Sequence, residues 1–227
     1  MAASCASQAN AAEAAPLRLA AVLVALPVFV QAPLVHGHPL VATVMTVPLL
    51  ALGLVLGLDE RPQRAQIGAV LVGFAGSWLC GGLFWGWCRL HPLWHLPIEA
   101  LLLPLALGGL GSRWRLAGAF YLASLLGTAA TDGAMALTGV MHLWPGVLAA
   151  EPETAMLLLQ QAAQRVLTPA NIALVGSFAA ALLTLGQWLW QGGQPQRLAA
   201  LTLVTTLGVD ALFFVLALSA PHWSGLI

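Results

Sequence analysis

Residues 198–219 read LAALTLVTTLGVDALFFVLALS. The run holds one acid, Asp210, no basic residue and no proline. As a helix it is about 33 Å long at 1.5 Å per residue, enough to cross the roughly 30 Å hydrocarbon layer of a bilayer. Working outward, Leu17–Val35, Leu40–Leu58, Ile67–Cys88, Leu116–Thr138 and Ala170–Trp190 have the same apolar character. A further run, Leu96–Leu110, is only about 22 Å long as a helix and carries Pro97, Glu99 and Pro104. It crosses as a short span or turns back as a re-entrant segment.

The whole chain agrees with this reading. Hydrophobic residues make up 60% of its 227 positions and charged residues 7%, against about 25% charged in a soluble domain. Eight arginines balance eight acids, and there is no lysine. Sixteen charges cannot solvate a soluble surface of this size, nor can eight arginines build a basic face for nucleic acid. The expected fold class is therefore all-α: a polytopic transmembrane helix bundle of seven spans in the lipid bilayer, plus one interfacial amphipathic helix.

Arginine placement favours seven crossings over six. With seven, Arg18, Arg61, Arg64, Arg113, Arg115 and Arg197 share one side, and Arg89 and Arg165 lie on the other. The positive-inside rule makes the larger group cytoplasmic, the N-terminus inside and the C-terminus outside. Residues 1–16, rich in Ala, Ser and Gln, are expected as a disordered tail, with residues 17–227 forming a single bundle. A cleaved signal peptide is the rival reading, but the start lacks a basic n-region and Pro33 follows the one plausible cleavage point. Between spans, residues 151–167 put Met156, Leu159, Ala163, Val166 and Leu167 opposite Gln160, Gln161, Gln164 and Arg165. That is the pattern of a helix lying in the outer interface. Thr168 caps the next span and Pro169 fits its first turn.

Stripes of small residues mark close helix contacts: Gly73, Ser77 and Gly81; Gly82 and Gly86; Ala119, Ala123 and Gly127. Pro27, Pro48 and Pro104 are expected to bend their helices. Trp85, Trp87, Trp94, Trp144 and Trp223 fall at the outer interface, and Trp114, Trp188 and Trp190 at the inner one. Cys5, Cys80 and Cys88 lack metal or redox spacing, so the latter two read as packing residues. No internal repeat stands out, and no nucleotide-binding, serine-hydrolase, zinc-protease or haem-attachment motif is present.

Polar residues at depth carry the functional reading. Asp132 lies well inside the fifth run and Asp210 near the middle of the last. A charge at bilayer depth costs several kcal/mol unless paired, hydrated or neutralised. Each aspartate ends a polar stripe on one helix face: Ser124, Thr128 and Asp132, and Thr202, Thr206 and Asp210, both spaced i, i+4, i+8. Facing stripes make a polar seam leading to two acids. The plainer account is interhelical hydrogen bonding, worth about 0.6 kcal/mol per bond. All six histidines fall on the outer side: His36, His38, His91, His95, His142 and His222. Of these, His91 and His95 with Glu99 have the spacing of three ligands on one helix face, of types suited to zinc or iron. Pro92 and Pro97 oppose a continuous helix there, and a first-turn position explains Glu99 equally well.

Trp85–Ala106, WGWCRLHPLWHLPIEALLLPLA, and Phe120–Asp132, FYLASLLGTAATD, resemble a cyanobacterial family of small multi-pass membrane proteins catalogued as domain of unknown function 3120. The resemblance extends over most of the chain after the tail. It implies a plasma or thylakoid membrane, with periplasm or lumen outside, and brings no activity or site residue with it.

Three functions compete. The first is transport or binding of a small solute or cation, with Asp132, Asp210, Glu99, Thr128, Thr206 and Ser124 lining a cavity open to the outer face and histidines at its entry. The second is a structural or assembly partner of other membrane-protein subunits, photosynthetic ones included. The third is a membrane enzyme with a metal held by His91, His95 and Glu99. No cofactor is identified.

Overall fold

The computed structural model describes residues 2–223, with side chains described from Ala14 onward except Val28 and Trp223. The side chains of Cys5 and Trp223 thus lie outside the described residues. Every regular element among the described residues is helical. In chain order they are α1 (Ala2–Leu26), a π-turn (Pro27–Gln31), α2 (Ala32–Gly37), α3 (Pro39–Val44), α4 (Thr46–Gly57), α5 (Pro62–Leu83), a second π-turn (Phe84–Cys88) and a 3-10 turn (Pro92–Trp94). Then come α6 (His95–Glu99), α7 (Leu103–Gly109), α8 (Arg115–Leu137), a 3-10 turn (Met141–Leu143), α9 (Trp144–Ala149), α10 (Pro152–Val166), α11 (Pro169–Trp190), α12 (Gln194–Ser219) and a last 3-10 turn (Pro221–Trp223). The helix assigned to α1 takes in the segment read from sequence as a tail.

Proline and glycine set many of the boundaries. Pro39, Pro62, Pro152, Pro169 and Pro195 sit in the first turn of their helices, where a missing N–H costs nothing. Thr168 takes the expected position before α11, but its hydroxyl bonds back to the Arg165 carbonyl rather than capping the helix. Gly139, with φ +70°, ends α8 in a Schellman motif: Val140 N–H bonds Met135 C=O at 2.9 Å and Gly139 N–H bonds Ala136 C=O at 3.1 Å. Arg165 Nε adds a bond to Thr138 C=O at 3.2 Å. At the opposite end Asp59 accepts the Arg61 N–H (2.8 Å) and an Arg64 guanidinium N–H (3.2 Å). The backbone bond above all, and then the guanidinium, hold this carboxyl below its ordinary range.

Side-chain contacts fix how the helices run. Arg113 donates to Gly57 C=O at 2.5 Å and Gln194 to Gln66 at 2.9 Å, so α4 ends, and α5, α8 and α12 begin, at one end of the bundle. At the other end His36 meets Arg89 at 3.3 Å, and Trp144 Nε1 donates to Arg89 C=O at 2.8 Å. The broken fourth run, α6–α7, lies antiparallel to α8 along its length. His95 meets Asp132, Glu99 and Leu102 meet Tyr121, and Ala106 lies against Gly118.

The central core joins Ala20 and Leu23 of α1, Val70, Phe74 and Trp78 of α5, Phe120 of α8 and Leu198 of α12. Phe74 meets Trp78 and Phe120 edge-on. Trp78 also donates its indole N–H to Ala42 C=O at 2.7 Å. Gly73 is required here, since a Cβ on it would lie 2.5 Å from Ala117 O. By contrast, α10 packs at the bundle end, where Leu159 and Ala163 meet Val147 and Ala217.

Four helical stretches among the described residues have the length and hydropathy of membrane spans: Pro39–Gly57, Pro62–Cys88, Pro169–Trp190 and Gln194–Ser219. A fifth is added if Ala14–Leu26 and Phe29–Gly37, bent by 43°, count as one. This is fewer than seven. The fourth run breaks into pieces too short to qualify, and α8 is diluted by Thr128, Thr131 and Asp132. Pro27 lies in the bend as expected, and a turn at Met45 lies just before Pro48. Pro104 instead occupies the first turn of α7, so the break precedes it at residues 100–102.

Candidate functional site

The two polar stripes are placed by the packing of α8 on α12. Gly127 makes the approach possible: a Cβ there would lie 2.8 Å from Thr206 Cγ2. Ser124, Thr128 and Asp132 of α8 and Thr206 and Asp210 of α12 line one cavity of about 300 Å³ together with Glu99 of α6. All six residues expected to line a cavity from the sequence thus share one wall system. Thr202, which extends the α12 stripe, is fully buried away from the cavity, and its hydroxyl has no hydrogen-bond partner among the described residues.

His95 joins two of the acids. Its ring stacks on Phe84 at 4.2 Å and meets Trp85 edge-on at 6.3 Å. So held, Nδ1 lies 2.9 and 3.1 Å from the two Asp132 oxygens, and Nε2 lies 3.8 Å from Glu99 Oε1. An ionised Asp132 places the ring hydrogen on Nδ1 and leaves Nε2 facing Glu99. Asp132 and Glu99 are each 8% exposed. Asp210 accepts a hydrogen bond from Thr131 Oγ1 at 2.6 Å.

The three expected metal ligands are not brought together. The 3-10 turn Pro92–Trp94 interrupts the helix between His91 and His95, and His91 is exposed. Its place beside His95 is taken by Asp132, from another helix. Among the described residues no group of three or more His, Cys, Asp or Glu side chains is arranged to hold a metal ion. Nor do the other histidines overhang the cavity: His36, His38, His91, His142 and His222 are exposed, and His95 alone of the six lines it.

Four residues escaped the sequence reading. Thr131 lies one turn from the Thr128 stripe and reaches Asp210 from the side. Ser77, a member of the small-residue stripe of α5, lines the cavity as well. Gln31 is 5% exposed and lines the cavity. Its amide donates to Trp78 C=O at 2.6 Å, which fixes which terminal atom is nitrogen. A lone amide deep in the run 17–35, whose one other polar residue is Arg18, is the available signal. Tyr121, the one tyrosine, has its hydroxyl on the Glu99 carbonyl and accepts Leu102 N–H at 3.2 Å.

Leu23, Val24, Phe74, Phe120 and Phe213 supply apolar wall, and no arginine lines the cavity. The charged or chargeable wall groups are three carboxyls and one imidazole. Such a surface can accept hydrogen bonds from a donor-rich guest. Asp132, His95 and Glu99 stand in a row, bonded at the Asp132 end and 3.8 Å apart at the Glu99 end.

No curated protein and no solved structure matches the chain. Residues 20–218 match the family described as "Protein of unknown function (DUF3120)", and the chain belongs to that family.

Proposed function

We propose that this protein is an integral membrane protein that binds a small solute or cation in the polar cavity and carries it across the bilayer. The observation that carries the reading is the convergence of Glu99, Ser124, Thr128, Asp132, Thr206 and Asp210 on one cavity of about 300 Å³, the low end of the range for small-molecule sites. Acids at membrane depth facing a cavity rather than lipid are the usual mark of a substrate or proton path.

In this reading all seven helical runs cross, the broken fourth included, with α10 in the outer interface. The break at 100–102 is tolerable at depth because protein, not lipid, surrounds it. Exposed Leu40, Val47, Val55, Ile172 and Leu183 give the bundle an apolar outer surface, and exposed Trp188 and Trp190 against Trp87 and Trp94 mark its two ends. In this reading the cavity opens toward the end bearing Trp85 and Trp144, both of which line it.

Cysteine accessibility tests this. In a variant lacking the native cysteines, Ser124→Cys and Thr128→Cys are expected to react with a membrane-impermeant thiosulfonate added outside intact cells. Leu183→Cys, facing lipid, is the unreactive control. Failure of both cavity positions to react, in protein whose exposed His142→Cys does react, rejects a cavity open to the outer face.

A further inference from the structure

Two acceptor atoms in the cavity wall face the same gap. A Cβ built on Gly81 of α5 would lie 3.5 Å from Gln31 Oε1 and 3.6 Å from Glu99 Oε1. The two oxygens, with Gln31 Nε2 at 3.7 Å, thus lie around one position that glycine leaves open. Neither is satisfied by a hydrogen bond among the described residues. Gln31 uses its amide nitrogen on Trp78 and leaves Oε1 without a donor. The Glu99 carboxyl has His95 Nε2 at 3.8 Å as its basic neighbour, beyond hydrogen-bond length. Both residues are more than nine-tenths buried, and what surface their oxygens keep belongs to the cavity wall.

The neighbouring wall adds acid and no fixed positive charge. Asp132 takes the other side of His95, Asp210 is bonded by the neutral Thr131 hydroxyl, and arginine is missing from the lining. A guest that completes this site carries several N–H donors and a positive charge. The rest of the wall, with Leu23, Val24, Phe74 and Phe120, is apolar and aromatic. It suits a hydrocarbon body and not the hydration shell of a metal ion, in keeping with the lack of a converging metal-ligand group among the described residues.

We propose that the cavity is a binding site for a small organic ammonium ion, its head group seated over Gly81 between Gln31 Oε1 and Glu99 and its body against Phe74 and Phe120. The proposal rests on the cavity being a solute site and names the class of solute. Charge-assisted hydrogen bonds to the carboxylate set head-group preference, and the apolar wall takes the hydrocarbon body.

Titration calorimetry of the detergent-purified protein is the test, with methylammonium, butylammonium and 2-phenylethylammonium as probes and 2-phenylethanol and phenylacetate as neutral and anionic counterparts. Saturable binding of at least one ammonium is expected, tightest for those with a hydrocarbon body, with the alcohol and the acid at least about tenfold weaker. Gly81→Ala is the discriminating variant. Its Cβ makes only ordinary contacts with the two oxygens, so the empty protein should keep its elution profile and melting temperature while ammonium affinity falls at least about tenfold. Glu99→Gln should do the same. Equal affinity for alcohol and ammonium, unchanged affinity in both variants, or no binding of any ammonium overturns the proposal. The thiosulfonate result is independent of these outcomes, so an accessible cavity can stand when the ammonium assignment falls.

Discussion

Tyr121 holds the broken fourth run together: its hydroxyl donates to the carbonyl of Glu99 and accepts the N–H of Leu102 at 3.2 Å. One side chain of α8 thus satisfies a backbone acceptor and a backbone donor that the end of α6 leaves free. The ring is 3% exposed, so water does not compete. Because the carbonyl belongs to Glu99, the same contact sets where the Glu99 carboxyl stands in the cavity wall.

Tyr121→Phe keeps the ring and removes both bonds, together with the Cys80 Sγ contact at 3.6 Å. A buried unsatisfied backbone group costs about 1–3 kcal/mol, so the variant should be destabilised by roughly that amount. Equilibrium unfolding in mixed detergent measures it, and a loss under about 0.5 kcal/mol would mean that the break holds itself open without the hydroxyl.

His95 and Asp132 should be energetically coupled. Their bond joins α6 to α8 between buried Asp132 and half-buried His95, and removing His95 leaves Asp132 without that bond. A double-mutant cycle with His95→Gln and Asp132→Asn should give a coupling energy of about 1 kcal/mol or more. Strict additivity of the two single changes would show that the close approach contributes nothing.

What the sequence disclosed about this site was its helical part. The i, i+4, i+8 stripes ending at Asp132 and Asp210 are a property of single helices, and periodicity reads single helices well. That the stripes face each other depends on Gly127 admitting Thr206, which the small-residue spacing hinted at without naming the partner. The failures lie where contacts cross elements. His91 has the right spacing to His95 but the wrong backbone between them, and the residue that does meet His95 is 37 positions away. Gln31 and Tyr121 carry no motif; each matters because a break elsewhere, or a carbonyl on another helix, needs a donor. The spans are harder to read for a related reason. A run stapled by neighbouring helices need not be long, continuous or uniformly apolar.

Glycine contacts separate two kinds of helix surface. Gly73→Ala would drive a Cβ to 2.5 Å from Ala117 O and 2.9 Å from Ala117 Cα, both backbone atoms that cannot step aside. A loss of at least about 2 kcal/mol is expected. Gly176 in α11 has open space around it, so Gly176→Ala should be neutral or stabilising by up to about 1 kcal/mol from helix propensity. Equal effects at the two sites would contradict the α5–α8 contact.

Asp59 supplies a pH-dependent contribution outside the apolar runs. Its folded carboxyl titrates below the ordinary range, so the contribution is present above the unfolded pKa of about 4. It is lost as pH falls through the lower, folded value. Asp59→Ala should therefore melt slightly below the parent at neutral pH, with the gap closing in acid. A gap that widens in acid would have the wrong sign for these bonds.

The direction of the whole bundle gives the last test. Contacts place the segments 58–61, 110–114 and 191–194 at one end, and 36–39, 89–94 and 138–151 at the other. The first end holds Arg61, Arg64, Arg113, Arg115 and Arg197; the second holds Arg89 and Arg165. Short loops with such a bias orient themselves with the richer side in the cytoplasm. Reporter fusions after residues 60, 112 and 192 should score cytoplasmic, and those after 91 and 151 should score external. The pair 91 and 112 is the decisive one, because it brackets the broken run. Reporters at those two positions in the same compartment would make α6–α7 a re-entrant hairpin. The antiparallel ladder from His95–Asp132 down to Ala106–Gly118 could not then survive in the folded protein.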